Sequence, residues 1–137
     1  MQDPNCIFCK IIRREIPCDF LYEDEHVFVF LDIRPNNPGH TLVLPKKHYR
    51  NIFDIDNETL RELMVRIKKV AGAVKKGVKA DGINIAMNNE PAAGQLVFHA
   101  HMHVIPRFAN DGYRHWPQKS YQDGEAQVVA EKIKMEL

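Results

Sequence analysis

Between His99 and Pro106 an imidazole stands at every second position: His99-Ala100-His101-Met102-His103-Val104-Ile105-Pro106. A period of two is the side-chain period of a β-strand, whereas helical residues two apart point in nearly opposite directions. The run therefore predicts a core strand over Phe98 to Ile105, with Pro106 as its stop. Its histidines share one face, and Ala100, Met102 and Val104 point into the core. Such a row of imidazoles suits a nucleophile with its supporting groups, or a three-histidine metal site. The strand alone leaves both open.

The other elements follow from periodicity and punctuation. Ile7, Phe8, Ile11 and Ile12 share a helical face within residues 6–15, and Pro17 is expected to stop that helix. Strands are predicted over Phe20–Glu23, His26–Leu31 and Thr41–Leu44, with a loop forced by Pro35, Asn36, Asn37, Pro38 and Gly39. Asp56 or Asn57 is the N-cap of one long amphipathic helix carrying Leu60, Leu63, Met64, Ile67, Val70, Ala71 and Val74. Asp81-Gly82 turns the chain into a strand over Ile83–Met87, and residues 125–136 suit a C-terminal helix. Residues 108–124 carry no readable pattern. Strands, then a long helix, then strands again predict an α+β fold with a mainly antiparallel sheet. The 137 residues fit a single domain over 1–137, with a motif-bearing core of about 6–107 and a tail over 108–137.

Formal net charge is +1, from 19 basic and 18 acidic residues, so no basic field points to a nucleic-acid partner. No apolar run reaches transmembrane length and the first residues carry no secretory pattern, so the expected compartment is the cytoplasm without a membrane partner. The odd count of three cysteines argues against a disulfide framework. Cys6 and Cys9 have the C-x-x-C spacing of half a tetrahedral zinc site. A redox pair lacks the βαβ pattern it would need, and two buried reduced thiols are the plain alternative. Cys18 has no assigned role.

The surroundings of the histidine run narrow its chemistry. Asn88-Asn89-Glu90-Pro91-Ala92-Ala93-Gly94-Gln95 leads into it, with Gly94 free to adopt unusual backbone angles and Gln95 able to donate to a phosphate oxygen. His40-Thr41-Leu42-Val43-Leu44-Pro45-Lys46-Lys47-His48 adds a strand with a histidine at its start. Together with the Asp32-Ile33-Arg34-Pro35 loop, these runs resemble the histidine-triad (HIT) family, over about Cys6 to Arg107.

The resemblance implies an α+β subunit whose sheet extends across a homodimer. It implies a nucleotide phosphate hydrolase or transferase acting on purine nucleotides such as AMP derivatives. By it, His101 attacks a nucleoside α-phosphate to form a nucleotidyl-histidine, supported by His103, His40 and Gln95. Asp32 accepts from ribose hydroxyls, Ile33 and Phe28 line the base, and Asn88, Gly94, Gln95 and His103 meet phosphate or ribose. It resembles the zinc-bearing branch, in which Cys6, Cys9, His48 and His99 hold a structural Zn2+. Alone, Asp32 reads as a loop cap, Phe28 as core and Asn88 as a turn residue.

Two positions depart from the pattern. Leu96 stands where many relatives place a Ser or Thr hydroxyl, which leaves adenosine phosphoramidate and dinucleoside polyphosphates both open as substrates. Ala100 departs from the His-Pro-His of related uridylyltransferases. A nucleotide- and zinc-binding adaptor with little turnover is the alternative function.

Overall fold

The computed structural model describes residues 2–137. Its elements, in chain order, are α1 (Ile7–Ile12), β1 (Phe20–Glu23), β2 (Val27–Leu31), β3 (Thr41–Pro45), α2 (Asn57–Gly77), β4 (Gly82–Ala86), β5 (Met102–Arg107) and α3 (Glu125–Lys134), with a 3-10 turn over Pro91–Ala93 before β5. The fold is α+β. The five strands form one sheet in the order β1-β2-β3-β5-β4, and every pairing is antiparallel. The last strand in sequence thus enters between β3 and β4, which places the histidine run near the middle of the sheet.

Alternation sorts the two faces. Val27, Val29, Val43, Ala100 and Val104 pack with Leu63, Ile67, Val70 and Val74 of α2. Phe28, Phe30, Leu42 and Leu44 point the other way, onto Phe8 and Ile11 of α1. β2 and β3 are therefore buried on both faces and read as unbroken apolar runs rather than as alternation. α2 begins where its cap predicts: Asp56 accepts from the Thr59 amide at 2.8 Å, and Tyr49 donates its hydroxyl to the same carboxylate.

Several element ends shift by one or two residues, and three differences from the sequence expectation have a visible physical cause. α1 ends at Ile12 rather than near residue 15, because Arg14 takes φ 64° while Glu15 N–H closes onto Lys10 O at 2.9 Å. This left-handed cap acts three residues before Pro17. β5 begins at Met102 rather than Phe98. Val43 faces Met102, so Ala100 falls opposite Pro45, which has no N–H to extend the ladder. The amide of Ala100 goes instead to Tyr49 O at 2.7 Å. Pro106 lies inside β5, opposite Ile83 and past the last β3 partner at Thr41, where its missing N–H costs no ladder bond. Among the described residues no helix is long and apolar enough to cross a membrane.

Candidate active site

The end of the β3–β5 ladder shapes the site. His99 and His101 lie in backbone just before β5, and His103 lies within it. Ala100 and Val104 belong to the core on the α2 side, so the imidazoles occupy the opposite face. The Phe8 ring meets His101 edge-on at 5.0 Å and His99 at 6.1 Å. The His101 and His103 rings are 5.0 Å apart.

Hydrogen bonds decide which nitrogen of each ring holds a proton. His101 Nδ1 is 2.6 Å from the carbonyl oxygen of His99, which only accepts. The proton therefore sits on Nδ1 and the lone pair on Nε2. No buried side-chain polar atom among the described residues lacks a partner, and Nε2 of His101 has none among them, so it opens toward solvent. Asn36 donates its backbone N–H to His40 Nδ1 at 3.1 Å. His40 must then carry its proton on Nε2 and donate it to His103 Nδ1 at 2.9 Å. That leaves His103 with its proton on Nε2. The site thus places an available lone pair beside an N–H donor.

Burial keeps these rings neutral. It lowers the proton affinity of His101 and of His40, and takes His103 down to about 4 with help from the neighbouring imidazoles. Nitrogen NMR of the His103 ring tests the assigned chain. The wild type and His40→Gln, which keeps a side-chain N–H, are expected to show the proton on Nε2. His40→Glu presents an acceptor and is expected to move it to Nδ1. A wild-type ring protonated on Nδ1 would overturn the assignment.

The loop residues divide into several roles. Asp32 accepts from the Arg34 amide at 2.8 Å and lies 3.7 Å from His40 Nε2. Its carboxylate is therefore both a loop cap and a neighbour of the imidazoles. Gly94 adopts φ 87°, as its permissive backbone allows, and Asn88 Nδ2 contacts its carbonyl at 3.5 Å. Asn88 and His103 line one cleft of about 420 Å³ with Asn84, Arg107, Arg114 and Trp116.

Two sequence expectations need correction. Gln95 is buried, and its amide donates to Arg50 O at 2.7 Å and to Val97 O at 3.1 Å, so neither hydrogen remains for a phosphate. Its oxygen accepts from the Glu90 amide at 2.9 Å and from Asn51 Nδ2 at 3.3 Å. Gln95 braces the loop that carries Gly94. Phe28 has no accessible surface and packs in the α1-side core, so it offers no wall to a base. Ile33, in contrast, is 79% exposed beside Asp32. Asn51, Phe8 and the Asn36 amide escaped sequence reading. Asn51 and Phe8 act through contacts distant in sequence, and the Asn36 amide, four positions from His40, is a backbone group that no residue type signals.

A second cluster lies at the other end of the imidazole row. Ligand atoms of Cys6, Cys9, His48 and His99 all lie within 4.8 Å of one another. Cys9 Sγ is 3.4 Å from His48 Nδ1 and 3.5 Å from His99 Nδ1, and Cys6 Sγ is 3.6 Å from His99 Nδ1. A tetrahedral zinc with ordinary Zn–S and Zn–N bonds has S···N edges of about 3.5 Å. His99 Nε2 donates to Pro45 O at 2.8 Å, which turns the Nδ1 lone pair toward the sulfurs. The donor set and its spacing fit zinc. The cluster of Asp32, His40 and His103 does not fit a cation equally well. A metal on His40 Nε2 would force a proton onto Nδ1, against the Asn36 N–H.

The HIT domain family profile matches residues 13–110. Adenosine 5′-monophosphoramidase of Schizosaccharomyces pombe is 34% identical over 136 residues, covering 97% of this chain and 98% of that one. A crystal structure from Streptococcus mutans is 45% identical with a TM-score of 0.92, covering 98% of this chain and 87% of that one. A zinc-bound histidine triad family protein from Mycobacterium smegmatis is 36% identical with a TM-score of 0.77, covering 96% of each chain.

Proposed function

Since this chain belongs to the HIT domain family, we propose that it is a nucleotidyl hydrolase or transferase, cleaving a substituent from a nucleoside α-phosphate through His101. The observation that carries this reading is the pairing of an open Nε2 lone pair on His101 with the Nε2–H of His103. His101 Nε2 attacks the α-phosphorus, and the bond to the leaving group breaks with its electron pair going to that group. The product is a nucleotidyl-imidazolium, whose Nδ1–H stays on the His99 carbonyl and is stabilised there. Water then attacks the phosphorus, the P–N bond breaks with its electron pair returning to His101 Nε2, the proton lost by the water passes to the departed anionic group or to solvent, and the nucleotide leaves. His103 hydrogen-bonds the phosphoryl oxygens in both steps. Asp32 takes the ribose hydroxyls with the lone pairs not used by Arg34, and Ile33 lies beside the base.

Cys6, Cys9, His48 and His99 hold a structural zinc in this reading, as the fit of their spacing supports. Bound there, zinc supplies no step of the reaction and joins the N-terminal segment to the sheet. Its commitment of His99 leaves His101 as the free imidazole. The enzyme works as a homodimer in the cytoplasm.

The leaving group is the remaining choice. Leu96 is 89% exposed and Gln95 is committed, so neither side chain donates to a leaving group. That favours leaving groups that depart with little help. A panel of adenosine phosphoramidate, an aminoacyl adenylate and dinucleoside polyphosphates, ranked by kcat/KM, tests the reading. At least one of these substrates is expected to reach the range ordinary for enzymes, about 10⁴ M⁻¹s⁻¹ or more. Slow turnover across the whole panel with tight AMP binding would replace it with the adaptor reading.

A further inference from the structure

Glu90 holds a backbone conformation that its residue type resists. Its φ of 73° and ψ of 158° lie in a region open essentially to glycine alone. Such strain persists only where the surroundings over-determine it, and here they do. The Glu90 carboxylate accepts from Arg50 Nη2 at 2.8 Å and Nε at 3.2 Å, and from Asn51 Nδ2 at 2.7 Å. The Glu90 amide donates to Gln95 Oε1 at 2.9 Å, and its carbonyl accepts from the Gln95 amide at 3.2 Å. Gln95 in turn donates to the Arg50 carbonyl. Glu90 thus grips residues 50 and 51 twice, directly through its carboxylate and again through Gln95. Asn51 is 1% exposed, so little water can replace the carboxylate on its side chain.

Residues 49–51 matter because of what hangs on them. The Tyr49 carbonyl accepts from the Ala100 amide at 2.7 Å. That N–H belongs to the same planar peptide as the His99 carbonyl, which accepts from His101 Nδ1 at 2.6 Å. The position of the Tyr49 oxygen therefore sets the tilt of this peptide, and the tilt sets where the His101 ring points. The two bonds also strengthen each other, since a carbonyl accepts better when the N–H of its own peptide is engaged. β5 begins only at Met102, so no strand ladder fixes the peptide in place of Tyr49. The Arg50 guanidinium also lies 4.2 Å over the Phe98 ring, one residue before His99.

We propose that Glu90 is a positioning residue for His101: its clamp on Arg50 and Asn51 holds the Tyr49 carbonyl where the His99–Ala100 peptide aims the His101 ring. The inference rests on the reading of His101 as the attacking group. Glu90→Gly tests it in the full-length protein, because glycine takes the same backbone angles without strain while the clamp is removed. With adenosine phosphoramidate, kcat is expected to fall on the order of ten- to a hundredfold while KM stays within about twofold, since aim acts on the attack rather than on binding. Proton NMR should show the His101 Nδ1–H moved to higher field and exchanging with water about tenfold faster or more. Arg50→Ala, which opens the clamp from its other side and leaves the Glu90 backbone alone, should produce the same pair of changes. Glu90→Gln keeps an acceptor for Asn51 and Arg50, and should hold kcat within about threefold of the wild type with the wild-type proton signal. Wild-type kcat and an unchanged Nδ1–H signal in Glu90→Gly and Arg50→Ala would overturn the proposal. A raised KM with kcat unchanged would also overturn it, by confining Glu90 to the loop that carries Gly94. A wild type without turnover would remove the nucleophile reading, and the His101 proton signal, which needs no substrate, would still decide the clamp.

Discussion

His101→Ala is expected to lower turnover on the order of a thousandfold or more, the scale on which loss of a nucleophile acts. Nucleotide affinity should change far less, because Asp32, Ile33 and His103 remain in place. The effect is selective for physical reasons. His101 is held between the Phe8 ring and the His99 carbonyl, with only Nε2 turned outward. His103 cannot replace it, since its Nδ1 accepts from His40 and its outward nitrogen carries a proton. His99 cannot replace it either: Nε2 is committed to Pro45 and Nδ1 faces the thiols. Rapid quenching of the wild type with labelled substrate should trap an acid-labile, base-stable phosphoramidate on His101. Binding by the variant, followed with AMP, separates loss of chemistry from loss of fold. A variant keeping more than about a tenth of wild-type turnover would refute the assignment.

Removing the zinc proposed for Cys6, Cys9, His48 and His99 is expected to have the second large effect. Cys6 and Cys9 belong to the short N-terminal helix region, while His48 and His99 lie far along the chain. An ion held by all four would tie these segments together, and its binding energy would become folding energy. Burial raises the proton affinity of the Cys9 thiol and takes His99 down to about 4, so the imidazole stays neutral and ready as a ligand at pH 7. Protein purified without a histidine tag should contain about one equivalent of zinc per chain. Cys9→Ala, or a strong chelator, should lower Tm on the order of 10 °C, the shift expected for a few kcal/mol in a chain of this size. Turnover should fall as well, because Phe8 of α1 packs on His101. Less than about a tenth of an equivalent after reconstitution, with an unchanged Tm under chelator, would end the zinc reading.

The order of elements was legible from residue pattern alone, because each carries its own period. The two-residue alternation of His99 to Val104 placed the imidazoles on one face even where no ladder forms, since extended backbone keeps that alternation without hydrogen bonds. Asp56 or Asn57 marked the start of α2 because a cap is a local interaction, and the structure selects Asp56. The C-x-x-C pair and the HIT resemblance together identified Cys6, Cys9, His48 and His99 as one cluster before any geometry. What only the tertiary structure decided were the partners across the sheet. Gln95 looks like a phosphate donor in sequence, yet Arg50 and Val97 carbonyls consume its amide. Phe28 looks like a pocket wall, yet α1 closes over it, because β2 is covered on both faces. The tautomers of His40 and His103 hang on an amide at Asn36, 67 positions before His103. A proton's position in a hydrogen-bonded row is set by its end groups, and folding alone brings those ends together.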